Sequence, residues 1–389
     1  MNKILFVTST SPFKNTSGGH QRTNLIFNTL IKYYDIDLVC FSKDDFPKNI
    51  PSNLCIKYWG INTKYSLKQR IFFFCKRLWN PLLAENIIYR NIVYNILSHN
   101  KYKYIVVRHI ETAIITGLIR EGELILDVDD LPEEVLKSRM KTRSNKNYLR
   151  AYLRNLYYIW MIWRMKICTT NFLNKIKHSY FPNKGQCLYK NSSYLPNIPY
   201  PLEKLNDCSW NKKENIVLFV GLFTHLPNLF GIDHFIDKIW PGIIKKNPSA
   251  ILYLAGGGLP QKFIEKWSKI SNVKVCGYVE NLVSLYECSK VVIAPIYEGG
   301  GTNIKVLEAI NMKSPCVISN FAYRGFEEYF KDGEHLFIAN TDEIFIEKVC
   351  LLLQSQEWCD RLVFNSFAAV QRNFSLNVFR KYLLDGLLN

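Results

Sequence analysis

The sequence predicts an α/β protein of two domains, each a parallel sheet wound with helices on both faces, and three observations lead there. Apolar runs of strand length alternate with segments of helical period along nearly the whole chain. Three of those runs lead into glycines that precede a helix: Lys3 to Thr8 before Gly18-Gly19, Ile216 to Val220 before Gly221, and Val291 to Pro295 before Gly299-Gly300-Gly301. The polar run Glu203 to Asn215 separates the first array from the other two and reads as a linker. With 389 residues, 48% of them hydrophobic, the chain can build two cores of ordinary size.

In chain order, Lys3 to Thr8 is the first strand, Ser9 to Gln21 a polar loop and Arg22 to Tyr34 a helical run. The glycine pair is not GxGxxG, which sets aside a dinucleotide enzyme; Gly18 and Gly19 equally fit a surface turn. Asp35 to Phe41 and Ile56 to Trp59 read as the next strands, and residues 67 to 98 as two helical runs rich in Phe, Trp and Tyr. Lys103 to Arg108 is a buried strand that ends at His109, at the strand end where open α/β sheets place their ligands; a loop histidine without a role is the alternative. Glu123 to Val128 is a further strand and carries Asp127-x-Asp129 at its end.

Charge divides the chain. Residues 1 to 198 hold 30 Lys+Arg against 13 Asp+Glu, and residues 199 to 389 hold 20 of each, so the whole net charge of +17 lies in the first half. That asymmetry points to an anionic partner for this half. From Lys137 to Lys190 there are thirteen Lys+Arg and no acid, interleaved with aromatic residues. A nucleic-acid patch, a membrane-surface helix and a buried helix with a basic rim all fit such a segment, but nothing in it resembles an RNA- or DNA-binding module. Leu156, Tyr157, Trp160 and Trp163 share a helical face while Arg150, Arg154 and Arg164 can reach phosphate, so an interfacial helix on an anionic membrane surface is the expectation, with no nucleic-acid partner. No stretch of eighteen apolar residues is free of charge and the chain enters a strand too early for a signal peptide, so a cytoplasmic protein, peripheral on the inner face of the membrane, is expected. Eleven cysteines without a CxxC pair favour reduced thiols over disulfides or zinc.

The second half repeats the pattern. Ile216 to Gly221 is strand then glycine; Phe230 to Lys245 is helical; Ala250 to Ala255, Val273 to Val275 and Val291 to Pro295 are strands with helical runs between them. After the three glycines, Thr302 and Asn303 can cap a helix whose apolar positions Ile304, Val306, Leu307 and Ile310 follow helical spacing. Its free N–H groups would make an anion site, with Lys305 in the first turn and Glu308 one turn on. Cys316 to Ser319 and His335 to Ala339 are strands, and Asp342 to Leu353 and residues 357 to 372 are helical. A glycine turn within any doubly wound sheet is the plain reading of the same spacing.

The run GGGTNIKVLEAINMKSPCVIS resembles the nucleotide-sugar-binding signature of the retaining glycosyltransferases of family 4, which have the GT-B fold of two Rossmann-like domains facing a cleft. The resemblance covers almost the whole chain, tightly over residues 216 to 373 and loosely before 190. It implies a donor site at Gly300, Gly301, Thr302, Asn303 and Lys305, with Glu308 on the donor ribose. Gly18, Gly19, Gly221 and His225 would lie near the diphosphate, and His109 would be the catalytic candidate that contacts the donor sugar. Asn197 keeps the asparagine of the family's "PNGVD" segment, which closes the first domain. The implied domains are therefore 1–198 on the acceptor side and 199–373 on the donor side, with residues 374–389 crossing back to the first.

Two departures stand out. Gly300 occupies the position of a family carboxylate assigned to the donor sugar, and Leu222 that of an arginine on the diphosphate; a lysine a few residues on is also missing. Cationic help is then expected from Lys305, Arg324 or Arg22. Asp127-x-Asp129 looks like the metal pair of the other glycosyltransferase fold, but GT-B enzymes typically need no divalent metal, and these acids are expected to cap the next helix and face the cleft. The implied function is metal-independent, cofactor-free transfer of a sugar, with retention, from a nucleotide-sugar donor to a lipid-linked or polysaccharide acceptor. Lipopolysaccharide, capsule or exopolysaccharide synthesis is the setting. A non-catalytic GT-B-like sugar-nucleotide-binding protein is the alternative, and an epimerase or phosphorylase of the same architecture a third.

Overall fold

The computed structural model describes residues 3–61, 82, 85–142, 148–199, 213–299 and 302–388. The first of the two predicted helical runs between residues 67 and 98, most of the linker, and Gly300 and Gly301 lie outside them. The chain divides into two compact units, Met1–Pro196 with Arg380–Asn389, and Asn197–Phe379.

The first unit is a seven-stranded, wholly parallel sheet in the order β3-β2-β1-β4-β5-β6-β7. Its strands are β1 (Lys3–Thr8), β2 (Asp35–Cys40), β3 (Leu54–Trp59), β4 (Tyr104–Arg108), β5 (Leu124–Asp127), β6 (His178–Phe181) and β7 (Ser192–Tyr194). Strands β1, β4 and β5 are almost continuously buried, as a sheet covered on both faces requires. Helix α1 (Gly18–Leu30) starts four residues earlier than the sequence suggests, because the Ser17 side chain accepts from the His20 N–H and caps it. Gly18 and Gly19 are therefore its first turn and not part of the loop. The other helices are α2 (Ile87–His99), α3 (Ile110–Ile115), α4 (Pro132–Thr142) and α5 (Tyr148–Leu173).

The second unit is a six-stranded parallel sheet in the order β10-β9-β8-β11-β12-β13. It comprises β8 (Glu214–Val220), β9 (Ile251–Ala255), β10 (Val273–Gly277), β11 (Ser289–Ala294), β12 (Cys316–Ser319) and β13 (Phe337–Ala339). Helix α6 (Leu226–His234) continues through one π-turn at Phe235–Ile239 into α7 (Trp240–Lys246). Helices α8 (Gln261–Trp267), α9 (Val283–Cys288), α10 (Ile304–Asn311), α11 (Asp342–Gln354) and α12 (Gln356–Asn373) follow. The last helix, α13 (Leu376–Leu388), belongs to the first unit from Arg380 onward, and its Leu383 carbonyl accepts from Tyr180 Oη at 2.6 Å.

In each sheet the strand order reverses once, between β1 and β4 in the first and between β8 and β11 in the second. Open α/β sheets bind ligands outside the carboxyl ends of their strands at that reversal. The architecture thus marks His109 and the start of α1 in one unit, and Gly221 and the glycine loop in the other.

Candidate functional site

In the second unit the core of the site is Lys305, in the first turn of α10. Its ammonium donates to Asn228 Oδ1 on α6 and lies over the Phe219 ring, 4.7 Å from the centroid. Asn228 in turn donates to the Leu222 carbonyl at 2.7 Å, which fixes the loop after β8. A Cβ at Gly221 would lie 3.1 Å from Lys305 Nζ, so the ammonium sits against the backbone at the sheet's reversal point. Burial depresses Lys305 to about 7, against only a partial opposing pull from the Glu308 carboxylate. No described carboxylate lies within ion-pair distance of its ammonium. Lys305 also lines a small cavity of about 10 Å³ together with Val220, Tyr286, Ala309 and Ile318.

His225 stands at the cap position of α6; burial and the neighbouring Lys305 both push its imidazole toward the neutral form. Glu308 is half-buried on α10, one turn after Lys305, and with burial it pushes the buried Tyr286 phenol up. The expected side-chain cap of α10 is absent. Asn303 makes no cap bond and instead donates to the Ala322 carbonyl at 3.3 Å, while Thr302 Oγ1 accepts from Asn197 Nδ2 at 2.8 Å. Both residues therefore pin the end of the glycine loop and leave the N–H groups of α10 without a side-chain cap. Arg324 stacks on Phe321 and donates to the Gly299 carbonyl at 3.3 Å, which braces the same loop.

Two glycines allow this packing. Gly256, after β9, has φ +148°, and a Cβ there would overlap the Gly221 carbonyl. Gly231 lets α6 press on the strand β11 exit, since a Cβ would overlap the Pro295 carbonyl oxygen.

In the first unit the reversal point is filled by charge. Asp127 accepts from Arg22 Nη2 at 2.6 Å and pairs with Arg108 Nη1 at 2.6 Å, and all three side chains are buried. Arg22 Nη1 also donates to the Leu195 carbonyl at 3.0 Å, and Arg108 Nε to Thr23 Oγ1 at 3.2 Å. This overturns the expectation that Arg22 serves a diphosphate: its guanidinium is committed to the interior. It equally overturns the capping role of Asp127, whose carboxylate is held by two guanidiniums.

Asp129 accepts from Arg108 Nη2 at 2.9 Å and lies 3.5 Å from His109 Nε2. Burial alone would raise its carboxyl, but Arg108, His109 and Arg22 hold it well below the usual range. Both His109 and Asp129 take positive φ, 70° and 60°, an uncommon backbone for either residue. Among the described residues no three His, Cys, Asp or Glu converge as a metal site would require.

Sequence reasoning missed one cluster here. Asp44 accepts from Lys14 Nζ at 2.8 Å and Ser42 Oγ at 2.6 Å and faces His20 Nε2 at 3.2 Å; burial would raise it, but these partners hold it at about 2. His20 and Lys14 lie 24 and 30 residues from Asp44, and no local motif joins them to it.

On α5, Trp160 and Trp163 are exposed while Arg154 and Arg164 are half-buried; the Arg150 side chain lies outside the described residues. Among the described residues, no helix is long and apolar enough to cross a membrane.

Comparison with known proteins bears on the fold. Residues 214–355 match the family described as Glycosyl transferases group 1. The chain is 22% identical, over 96% of its length and 97% of the other, to an uncharacterized 44.6 kDa protein in the cps region of Klebsiella pneumoniae. Among solved structures it resembles sucrose-phosphate synthase from Thermosynechococcus elongatus, with TM-score 0.68, 14% identity and coverage of 100% and 98% of the two chains. It also resembles Anabaena Alr3699/HepE in complex with UDP, with TM-score 0.66, 12% identity and 99% of each chain covered. The fold is GT-B, and the match to the glycosyl transferases group 1 family falls within the second unit.

Proposed function

We propose that the protein transfers a sugar, with retention and without a divalent metal, from a nucleotide-sugar donor to a lipid-linked or polysaccharide acceptor in cell-surface glycan synthesis. The observation that carries this reading is Lys305: a desolvated ammonium with no carboxylate partner among the described residues, beside Gly221 at the reversal point of the second sheet. A site that holds a lone cation at the start of a helix is matched to an anion, and a nucleoside diphosphate supplies one. The relative in a cps region supports the glycan setting, and the UDP complex of a structural neighbour supports the donor class.

In this proposal Lys305 and the free N–H groups of α10 bear the charge that develops on the departing diphosphate, in place of the arginine and lysine that Leu222 and its neighbours lack. Charge stabilisation of that kind is commonly the largest part of transferase catalysis. The leaving diphosphate helps to deprotonate the acceptor, and Glu308 holds the donor ribose. His109, oriented by Asp129, acts on the sugar during transfer. The acceptor half works at the inner face of an anionic membrane.

A thermal-shift screen of UDP, GDP, ADP and their sugars tests it. One nucleotide should stabilise by about 2.7 kcal/mol at 100 times its Kd, and Glu308→Ala should weaken that nucleotide by about 1.5 to 3 kcal/mol. Transfer should survive EDTA. Stabilisation by none of these ligands would remove the donor site. Binding without hydrolysis or transfer would instead favour a non-catalytic binding protein, which Gly300 at the family's carboxylate position also suits.

A further inference from the structure

We propose that α5 is an in-plane anchor that seats the first unit on an anionic phospholipid surface, with Leu153, Leu156, Ile159, Trp160, Trp163 and Ile167 entering the lipid interface. The inference deepens the acceptor half of the reading above and rests on it only for its biological setting. These six side chains recur at helical spacing on one arc, and their exposure runs from 38% at Trp160 to 57% at Leu153 and Trp163. The opposite arc is already occupied: Met161, Thr169, Phe172 and Leu173 are buried, and the last two join the core of the first unit. The helix therefore carries apolar side chains on both its core side and its water side.

A run of exposed tryptophan and branched aliphatic side chains this long needs a cover. Charge decides which. The segment from Lys137 to Lys190 carries thirteen Lys+Arg and no acid, so a second copy laid on the same face would bring like charge against like. An anionic bilayer gives the opposite sign. With 26 residues the helix is about 39 Å long, enough to lie along a surface, and it is not apolar enough to cross one. Lys166 is exposed at one border of the arc and Arg164 half-buried at the other, positions from which their charges reach headgroups while the arc faces the acyl chains. The apolar arc, more than the arginines, then carries the attachment.

Sedimentation of the full-length protein with vesicles of phosphatidylcholine containing about 30% phosphatidylglycerol, and with phosphatidylcholine alone, tests this. The first should bind and the second should not. Leu156→Glu with Trp163→Glu should weaken binding at least about tenfold, with unchanged circular dichroism and an unchanged response to nucleoside diphosphates. Trp emission should shift to the blue on binding in the wild type only. No binding to either vesicle, equal binding to both, or undiminished binding by the double variant would overturn the proposal. So would light scattering that shows a dimer which the double variant dissolves. If vesicles bind and nucleoside diphosphates do not, the anchor stands and the sugar-transfer reading falls.

Discussion

The two reversal points treat desolvated cations in opposite ways. In the first unit Arg22 and Arg108 are wrapped around Asp127 and Asp129, so charge is balanced inside the protein. In the second, Lys305 has an amide and an aromatic face but no described carboxylate in ion-pair reach. A guanidinium with a built-in partner is structure. An ammonium held beside bare backbone, with no described carboxylate in reach, is the proposed place for a ligand. Desolvation is costly in both, and only the first recovers the cost without an outside anion.

The largest effect should come from breaking the balanced side. Asp127→Ala leaves two buried guanidiniums without their shared partner, and a loss of about 3 to 5 kcal/mol is expected in chemical denaturation. If stability hardly changes, the network is not what holds β4, β5 and α1 together. Next is Gly231→Ala, where the added methyl meets the Pro295 carbonyl and pushes α6 away. It should destabilise the second unit by about 1 to 3 kcal/mol and also weaken nucleotide binding, because Asn228 moves with the helix. A stability loss with unchanged affinity would separate the packing from the site.

Lys305→Met sharpens the contrast. It should leave the ligand-free protein as stable as before or more so, yet cost about 1.5 to 3 kcal/mol in nucleoside diphosphate affinity by calorimetry. The pH dependence follows from the depressed value of about 7. Between there and the ordinary lysine range the unfolded chain binds more protons, so ligand-free stability should rise with pH across that window; below it the full cost of the desolvated ammonium is present. A bound diphosphate favours the ammonium, so affinity should fall above pH 7 by up to about tenfold per unit. Lys305→Arg, which does not titrate there, should flatten the profile.

Much of this was legible in the sequence because it is local. Strands such as Lys3–Thr8 and Cys316–Ser319 are continuous apolar runs, and α10 announces itself by Ile304, Val306, Leu307 and Ile310 after glycine. What was not legible is either polar or distant. Strands β6 and β7 are short and rich in serine, without a strand's apolar signature, and the Ser17 cap that draws Gly18 and Gly19 into α1 competes with the turn that a glycine pair suggests. The charge network joins residues 105 apart, and Lys305 meets Asn228 across 77, separations that no periodicity encodes. Asp44 with Lys14 and His20 was hidden for the same reason.

The backbone at His109 carries a separate lesson, about selection. Its φ of 70° is a conformation that glycine adopts freely and histidine does not, at a cost of roughly 1 kcal/mol or more. His109→Gly should therefore melt at least as high as the wild type while it removes the ring on which the proposed transfer step depends. A thermostability screen blind to activity would enrich that variant, and a screen for transfer would discard it. The pair of assays at this single residue therefore weighs the strain at His109 against the proposed use of its ring.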